Sequence, residues 1–433
     1  MKKIFPQLII SILMILTAQP LLSSIDSSAL FEQGMKALNS GNYRSSELLF
    51  RKIIEADDGL YKDRAWFNLA LSIFHQKKYK SAIFELNRFL SICTTSDLCS
   101  EARFWIAESH FFQKKYIKAI EEYKRFISQS KNQSTISTAY DRIGRIYFEQ
   151  KRYDEAIIEW EKAKKISKDK KINNLRTLYI GEALFNDGKL KKVIILLKKL
   201  INTKIEKTIA ARSRLILGRA YQLMNKHRKA LLTFNDIKEN LLNEPPFYNS
   251  YYYKAISSIS LGNISSAKIH LKSFILIGKN STWYYEAKYE LGAILIKEGK
   301  DNEAIKILEE VRNSTTKQEL KGKTSVILSK LYFNRNPEEA ITYIHEAINL
   351  SNEKDKIDSL FLLGKAYIHI KRYNDALLTL KHLIDDYPYN KKKDNIQFLI
   401  ARVYLEQGDM VKAIEEFEKI KEINPFSRYI KES

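Results

Sequence analysis

Amphipathic stretches alternate with short polar turns along the chain, and residues 140–163 show the pattern most clearly. Apolar or small residues recur there at intervals of three and four, first at Tyr140, Ile143, Gly144 and Tyr147, then at Ala156, Trp160 and Ala163. Such spacing places each set on one face of a helix. The polar segment 150–153 separates the two sets. The pattern therefore predicts two antiparallel helices joined by a tight turn.

The same two-helix pattern repeats along the chain. One position in each second helix recurs at intervals of 36 or 37 residues and is small in all repeats but the fifth: Ser46, Ala82, Ala119, Ala156, Val193, Ala230, Ala267, Ala304, Ala340, Ala376 and Ala413. A small residue also marks each first helix: Gly34, Ala70, Ala107, Gly144, Gly181, Gly218, Ala255, Gly292, Ser329, Gly364 and Ala401. We predict one all-α solenoid of about eleven helix pairs over residues 27–430, with these small residues where helices cross. Prolines predict bends near 245–246 and 334–338.

These positions resemble the tetratricopeptide repeat. Ile143-Gly144, Tyr147, Ala156, Trp160 and Ala163 match its pattern of L-G, Y, A, F and A, as do Leu363-Gly364, Tyr367, Ala376 and Pro388. The period of 37 residues exceeds the usual 34 of this family and is similar to that of exported bacterial envelope-assembly proteins. The resemblance implies a non-enzymatic scaffold that binds partner segments on the concave face formed by its first helices.

The first 24 residues predict a signal peptide. A basic start at Lys2 and Lys3 precedes an apolar run at Leu8–Leu16, which is too short to span a bilayer. No Cys follows this run at a cleavage point, so we do not expect a lipid anchor. We expect an exported, periplasmic protein. The absence of a clear A-x-A cleavage site leaves open an uncleaved signal that tethers the chain to the inner membrane.

Composition adds a strong positive charge to this picture. The 433 residues carry 73 Lys and Arg against 51 Asp and Glu, a formal net charge of +22, and 12% aromatics exclude a disordered chain. The charge concentrates between Lys162 and Lys207, in a basic patch that contains Lys164, Lys165, Lys170, Lys171, Lys191, Lys192, Lys198 and Lys199. Export disfavours nucleic acid as its ligand, which leaves anionic lipid headgroups, cell-wall polymer or an acidic protein. A merely solvated face is the alternative.

The sequence does not support catalysis. The seven His residues show no metal-ligand spacing, and no nucleophile, phosphate-loop or dinucleotide motif occurs. We therefore predict no enzyme activity, no cofactor and no metal. Cys93 and Cys99 predict a disulfide, because export implies an oxidising compartment; two unpaired thiols are the alternative.

The first helices carry the candidate partner site. Apolar residues recur on them at two positions, three residues before and four residues after the small one, and the strongest candidates are Phe104, Phe111, Phe361 and Phe398. Basic residues between or near these positions form a track in the C-terminal half: Lys323, Lys330, Lys365 and Arg402. We predict that this surface binds an acidic or amphipathic partner segment. The alternative is that the aromatic residues pack neighbouring first helices together.

Three functions fit these observations. The first is an adaptor for envelope proteins or their complexes. The second is a structural part of a periplasmic motility apparatus, since the composition and export signal are similar to those of flagellar collar scaffolds of spirochaetes. The third is a cell-wall-associated accessory protein that uses its basic face, with peripheral contact to the wall or membrane surface. The sequence does not choose among them, and it gives no oligomeric state.

Overall fold

A computed structural model of the chain describes residues 26–56, 59–93, 97–350 and 352–431. The predicted signal peptide, residues 1–24, lies outside the described residues. The described residues divide into two compact units, one up to residue 209 and one from residue 210.

The described residues form 22 α-helices. In the first unit these are α1 (Ser27–Asn39), α2 (Tyr43–Glu55), α3 (Gly59–His75), α4 (Tyr79–Ile92), α5 (Asp97–Phe112), α6 (Tyr116–Gln129), α7 (Gln133–Glu149), α8 (Tyr153–Ile166), α9 (Lys170–Asn186) and α10 (Leu190–Ile201). Helix α11 (Lys207–Leu223) begins at the boundary. The second unit continues with α12 (His227–Asn235), α13 (Asn249–Ser260), α14 (Ile264–Ile277), α15 (Tyr284–Lys297), α16 (Asp301–Ser314), α17 (Gln318–Tyr332), α18 (Pro337–Leu350), α19 (Glu353–His369), α20 (Tyr373–Asp386), α21 (Lys393–Glu406) and α22 (Met410–Ile423).

Every predicted repeat appears as a helix pair. The described residues contain 22 α-helices and no strand, which confirms the all-α prediction. Within each unit, helices that follow one another along the chain pack together, as in a stack of helical hairpins. For α11 and α12 the contact is the close approach of Gly218 and Phe234. No helix in the described part of the chain is long and apolar enough to cross a membrane.

Glycines on the first helices accommodate large side chains from the second helices. A Cβ atom added to Gly144 would lie 2.7 Å from the indole nitrogen of Trp160, and one added to Gly181 would lie 2.6 Å from Leu197 Cδ2. In both repeats the large residue follows the glycine by sixteen positions. Ala156 and Val193, the marker residues of the second helices, are fully buried. The small residues therefore make room for side chains as well as for the crossing of backbones.

The turns inside ten of the eleven pairs follow a common design. Ten of the eleven turns among the described residues contain a left-handed residue: Gly41, Lys77, Lys114, Lys151, Gly188, Asn225, Gly262, Gly299, Lys371 and Gly408. In the second repeat Lys77 N–H donates to Phe74 O and Lys78 N–H donates to Ile73 O, which is the Schellman pattern. These bonds satisfy carbonyls at the helix end and reverse the chain direction.

The two predicted irregular segments differ from the regular repeats. After α12 ends at Asn235, the chain runs through a short 3-10 turn and a cis peptide bond at Pro245-Pro246 before α13 begins. The ninth turn has no left-handed residue. There Pro337 is the first residue of α18, where its missing N–H removes no helical hydrogen bond.

Candidate functional site

Two of the predicted partner-binding aromatics lie in the core. Phe104 is only 8% exposed and packs against Tyr123 and Phe126. Phe398 is 9% exposed and stacks on Tyr429 with ring centroids 4.6 Å apart. The structure therefore places Phe104 and Phe398 between helices, where they stabilise the stack and offer little surface to a partner.

The other two aromatics are half-buried, and cations of the same chain lie near them. The Arg142 guanidinium lies 5.4 Å from the ring centroid of Phe111. The Lys392 ammonium lies 5.2 Å from that of Phe361. Both distances are typical of cation–π contacts. Phe111 and Phe361 thus keep some exposed surface, but each also contacts a basic residue of its own chain.

The predicted basic residues are exposed. Lys330, Lys365 and Arg402 each follow the small marker residue of their first helix by one position, on α17, α19 and α21. We call these three residues the cationic ladder. Lys323 precedes Lys330 by seven residues, which are two helical turns, and therefore lies on the same side of α17. Its ammonium donates to Glu319 at 2.5 Å, and this hydrogen bond raises the pKa of Lys323.

Most of the charge of the cationic ladder is not paired with acidic residues of the described chain and is available to a partner. Among the described residues Lys330 and Lys365 have no acidic partner, while Arg402 pairs with Glu406 at 3.1 Å. The Lys365 ammonium instead lies 5.8 Å from the ring centroid of Phe333. Arg402 and Glu406 are both at the surface, where such a pair contributes little to stability. A partner carboxylate could therefore reach all three ladder positions.

An apolar residue follows each ladder residue by three positions, nearly one helical turn further on. These residues are Phe333, Ile368 and Leu405, and they are half-buried or exposed, with Leu405 at 43%. The sequence pattern also contains Leu405, but Phe398 is the residue of α21 that we predict to bind a partner. The pattern alone does not distinguish these two apolar positions of the same helix. The structure replaces Phe398 with Leu405 as the apolar residue that a partner can reach on α21.

The basic patch is exposed along α10, at the start of α9 and at the end of α8. The exposed members are Lys165, Lys170, Lys171, Lys191, Lys192, Lys198 and Lys199, while Lys164 is half-buried and pairs with Glu161 at 3.1 Å. The hydrophobic residue Ile195 stands among the lysines of α10 and is 73% exposed. This combination of exposed cations and an exposed apolar side chain is a second candidate surface.

Buried charged groups in the first unit bind one another and stabilise the repeats. The Arg142 guanidinium and the Tyr123 hydroxyl both donate to the Glu108 carboxylate. Burial and the nearby Glu108 raise the pKa of Tyr123 well above its ordinary value. Arg176, only 3% exposed, similarly pairs with Asp141 of the preceding repeat. Because these groups are satisfied internally, we assign them a structural role.

A cavity of about 230 Å³ lies among α2, α3 and α4. Trp66 Nε1 donates to the Glu85 carboxylate in its wall at 3.0 Å, and Arg51 and Arg88 lie 3.8 Å and 3.6 Å from the same carboxylate. Glu85 therefore offsets part of the charge of both arginines. We do not assign the cavity a binding role.

Cys93 and Cys99 form a disulfide between the end of α4 and the start of α5, with their Cα atoms 5.9 Å apart. The bridge joins the second repeat to the third. In the described ranges of the chain, His, Cys, Asp and Glu form no cluster of three or more that could hold a metal ion.

Comparison with known proteins identifies the repeats. Four sequence models described as tetratricopeptide repeats match residues 31–92, 137–170, 358–388 and 395–427. The matches fall in both units, so the chain contains tetratricopeptide repeats, as its residue pattern predicts. No curated protein sequence matches the chain.

Matches among solved structures include the following three chains. A chain of Naa15/Naa10 bound to HypK-THB matches over 93% of this chain and 64% of its own length, with 16% identity and a TM-score of 0.40. A chain of the APC/C hetero-tetramer Cut9-Hcn1 matches over 99% and 98%, with 16% identity and a TM-score of 0.35. The C-terminal part of a TPR repeat-containing protein from Cytophaga hutchinsonii matches over 68% and 99%, with 18% identity and a TM-score of 0.43. The chain thus spans just under two thirds of the length of the first of these.

Proposed function

We propose that this chain of tetratricopeptide repeats is a non-enzymatic scaffold that binds other proteins of a bacterial cell envelope. Repeats of this kind present extended surfaces to protein partners. We further propose that the cationic ladder and its apolar neighbours bind an acidic segment with apolar side chains. The observation that carries this proposal is an exposed cation, in register on three successive first helices, followed three positions later by an apolar residue that is exposed or half-buried.

Charge and shape both favour such a segment. The ladder supplies Lys330, Lys365 and Arg402 for carboxylates, while Phe333, Ile368 and Leu405 supply apolar contacts one turn away. A partner that alternates acidic and apolar residues would satisfy both rows. Because the ladder charges contribute little to folding, they are free to serve recognition.

An exported location is the second part of the proposal. The basic start and short apolar run of residues 1–24 support it, and so does the disulfide between Cys93 and Cys99, since disulfides persist in oxidising compartments. We expect the mature protein to begin between Gln19 and Asp26 and to leave membranes in high salt. N-terminal sequencing that finds Met1 retained would instead favour a chain tethered to the inner membrane.

A capture experiment tests the partner site. The tagged chain is expressed in its own cells, and partners are recovered from envelope extracts and identified by mass spectrometry. The double variant Lys330→Glu and Lys365→Glu should lose the specific partner at least tenfold, with unchanged helicity. A matched control, Lys279→Glu and Lys391→Glu, changes the net charge equally at two exposed lysines outside the ladder and should retain the partner.

The apolar row is tested separately. Leu405→Ser should weaken capture with little change in the free energy of unfolding, because Leu405 is exposed. Phe398→Ala should lower that free energy by about 3–5 kcal/mol, as expected for a buried aromatic side chain. Equal capture by the wild type, the ladder double variant and Leu405→Ser would remove this face from consideration.

A further inference from the structure

The outer face of α10 presents apolar and basic side chains together. Its inward residues Val193, Leu197 and Leu200 are buried against the rest of the first unit. Its outward residues are all exposed, and they are Lys191, Lys192, Ile195, Lys198 and Lys199. We call these five residues the α10 face. They cover more than two turns of helix without an acidic residue.

The four lysines of the α10 face do not take part in ion pairs that would stabilise the described fold. None of the four lysines of the α10 face makes an ion pair with any described residue. More cations lie at the same end of the hairpin: α9 and α10 are antiparallel neighbours, so the start of α9, with exposed Lys170 and Lys171, lies beside the end of α10. Because no carboxylate of the described residues pairs with the lysines of the α10 face, these lysines remain available to an external anion.

The apolar part of this face belongs to a row. In the same register of α2, α4 and α8 lie Leu48, Phe84 and Ile158, which are 57%, 61% and 53% exposed. Each is followed four positions later by a basic residue on the same face of its helix, in the pairs Leu48 and Lys52, Phe84 and Arg88, Ile158 and Lys162, and Ile195 and Lys199. The pairing of one exposed apolar side chain with one cation therefore recurs in four of the first five repeats.

We propose that the α10 face docks on the surface of an anionic lipid bilayer. Single exposed apolar side chains on separate helices do not form a groove for a peptide, but they can contact a broad surface. Ile195 would enter the boundary between headgroups and acyl chains, and the surrounding lysines would bind the lipid phosphates while their methylene stems cover apolar surface. Juxtaposed cations are attracted to such a surface within about a Debye length, about 8 Å at physiological ionic strength. This docking is independent of the cationic ladder.

Vesicle binding by the full chain tests the proposal. Sedimentation is measured with vesicles of pure phosphatidylcholine and with vesicles of phosphatidylcholine and phosphatidylglycerol in a ratio of seven parts to three. We expect a preference of at least tenfold for the anionic vesicles, which decreases with salt. The quadruple variant Lys191→Glu, Lys192→Glu, Lys198→Glu and Lys199→Glu should lose most of this preference. Any contribution of residues 1–24 is common to all variants, so the difference between variants reports on the α10 face.

Two matched controls separate this face from overall charge and overall apolarity. The quadruple variant Lys272→Glu, Lys279→Glu, Lys306→Glu and Lys391→Glu changes the net charge equally at exposed lysines of the second unit and should keep the preference. Ile195→Ser should weaken anionic-vesicle binding about threefold or more. Leu232→Ser, at the same register with Asp236 four residues later, should not.

Three outcomes would overturn the proposal: no preference for anionic vesicles, an equal loss in both quadruple variants, or binding to polyglutamate with none to vesicles. The last outcome would assign the α10 face to an acidic protein. Circular dichroism spectra must match between variants, so that unfolding is not read as lost binding.

Discussion

Helices α10 and α16 occupy the same place in the fifth and eighth repeats, yet their outer faces carry opposite charge. The buried positions match in kind, with Val193, Leu197 and Leu200 in α10 and Ala304, Leu308 and Val311 in α16. The outward positions of α10 are Lys191, Lys192, Ile195, Lys198 and Lys199. The corresponding positions of α16 are Asn302, Glu303, Lys306, Glu309 and Glu310.

The difference shows which charges the fold itself uses. Glu310 accepts a hydrogen bond from Lys288, a lysine that is only 8% exposed, and Glu309 accepts one from the Tyr332 hydroxyl at 2.6 Å. Two acids of α16 therefore satisfy groups of their own unit. The lysines of α10 satisfy none among the described residues, so they remain available to a ligand outside the chain.

The largest effect should be common to both repeats. Gly181→Leu and Gly292→Leu should each lower the free energy of unfolding by about 3 kcal/mol, because the new side chain would overlap Leu197 and Leu308. Urea unfolding measures the loss, and Lys191→Leu, at an exposed position, serves as the control. A change below about 0.5 kcal/mol in either glycine variant would show that the two repeats do not share one packing register.

The second largest loss of stability should follow from substitutions in the turns of the same two repeats. Gly188 and Gly299 have φ angles of +72° and +73°, and a Cβ atom at either position would meet nothing within 4 Å. Alanine there is strained only by the left-handed backbone, which costs about 1–2 kcal/mol. We expect similar decreases in melting temperature for Gly188→Ala and Gly299→Ala. A neutral result at one site would mean that its turn relaxes to another conformation.

Substitutions at charged positions should affect the free energy of unfolding differently in α16 and α10. Glu310→Gln should cost about 1 kcal/mol, because the half-exposed glutamate is the charge partner of the buried Lys288. Lys199→Gln, at the same register of α10, should change the free energy of unfolding by less than about 0.5 kcal/mol. Denaturant titrations compare the two substitutions directly. An equal loss in the free energy of unfolding for Glu310→Gln and Lys199→Gln would show that the fold does not depend more on Glu310 than on Lys199.

The smallest effect concerns pH and extends the same register to α18. Burial raises the pKa of Glu346, but hydrogen bonds from Ser325, Arg312 and Lys321 outweigh burial and hold it below the ordinary value of 4.5. A lowered pKa in the folded state means that the unfolded state takes up the proton first. The stabilisation by Glu346 is therefore full above pH 4.5 and is lost as the pH falls towards the lower folded pKa.

Melting temperatures measured across this pH range test that sign. The difference between wild type and Glu346→Gln should be constant near neutral pH and should shrink below pH 4.5. The corresponding difference for Lys199→Gln should stay flat over the same range, since no hydrogen bond within the described residues holds that lysine. A gap for Glu346→Gln that widens with acid would contradict the assigned direction of the pKa.

The positions of the helices follow from local sequence, and so do the candidate cations. Helical spacing located each pair, and glycines or polar residues located the turns, because a helix face and a left-handed turn are decided within a few residues. The same register placed Lys330, Lys365 and Arg402 at equivalent exposed positions. A long charged side chain is rarely buried without a partner, so its exposure follows from its chemistry.

The accessible apolar residues could not be predicted in this way. Phe398 and Leu405 are both hydrophobic residues on α21, and the helical pattern assigns a role in partner binding to either one. Phe398 is buried because Tyr429, more than thirty residues later, stacks against it, whereas no side chain covers Leu405 to the same extent. Burial depends on contacts between elements that are distant in sequence. The sequence by itself thus determined the repeats, the turns and the charged surfaces, and only the tertiary structure decided which hydrophobic residues belong to the core, which charges are used internally and which groups remain for a partner.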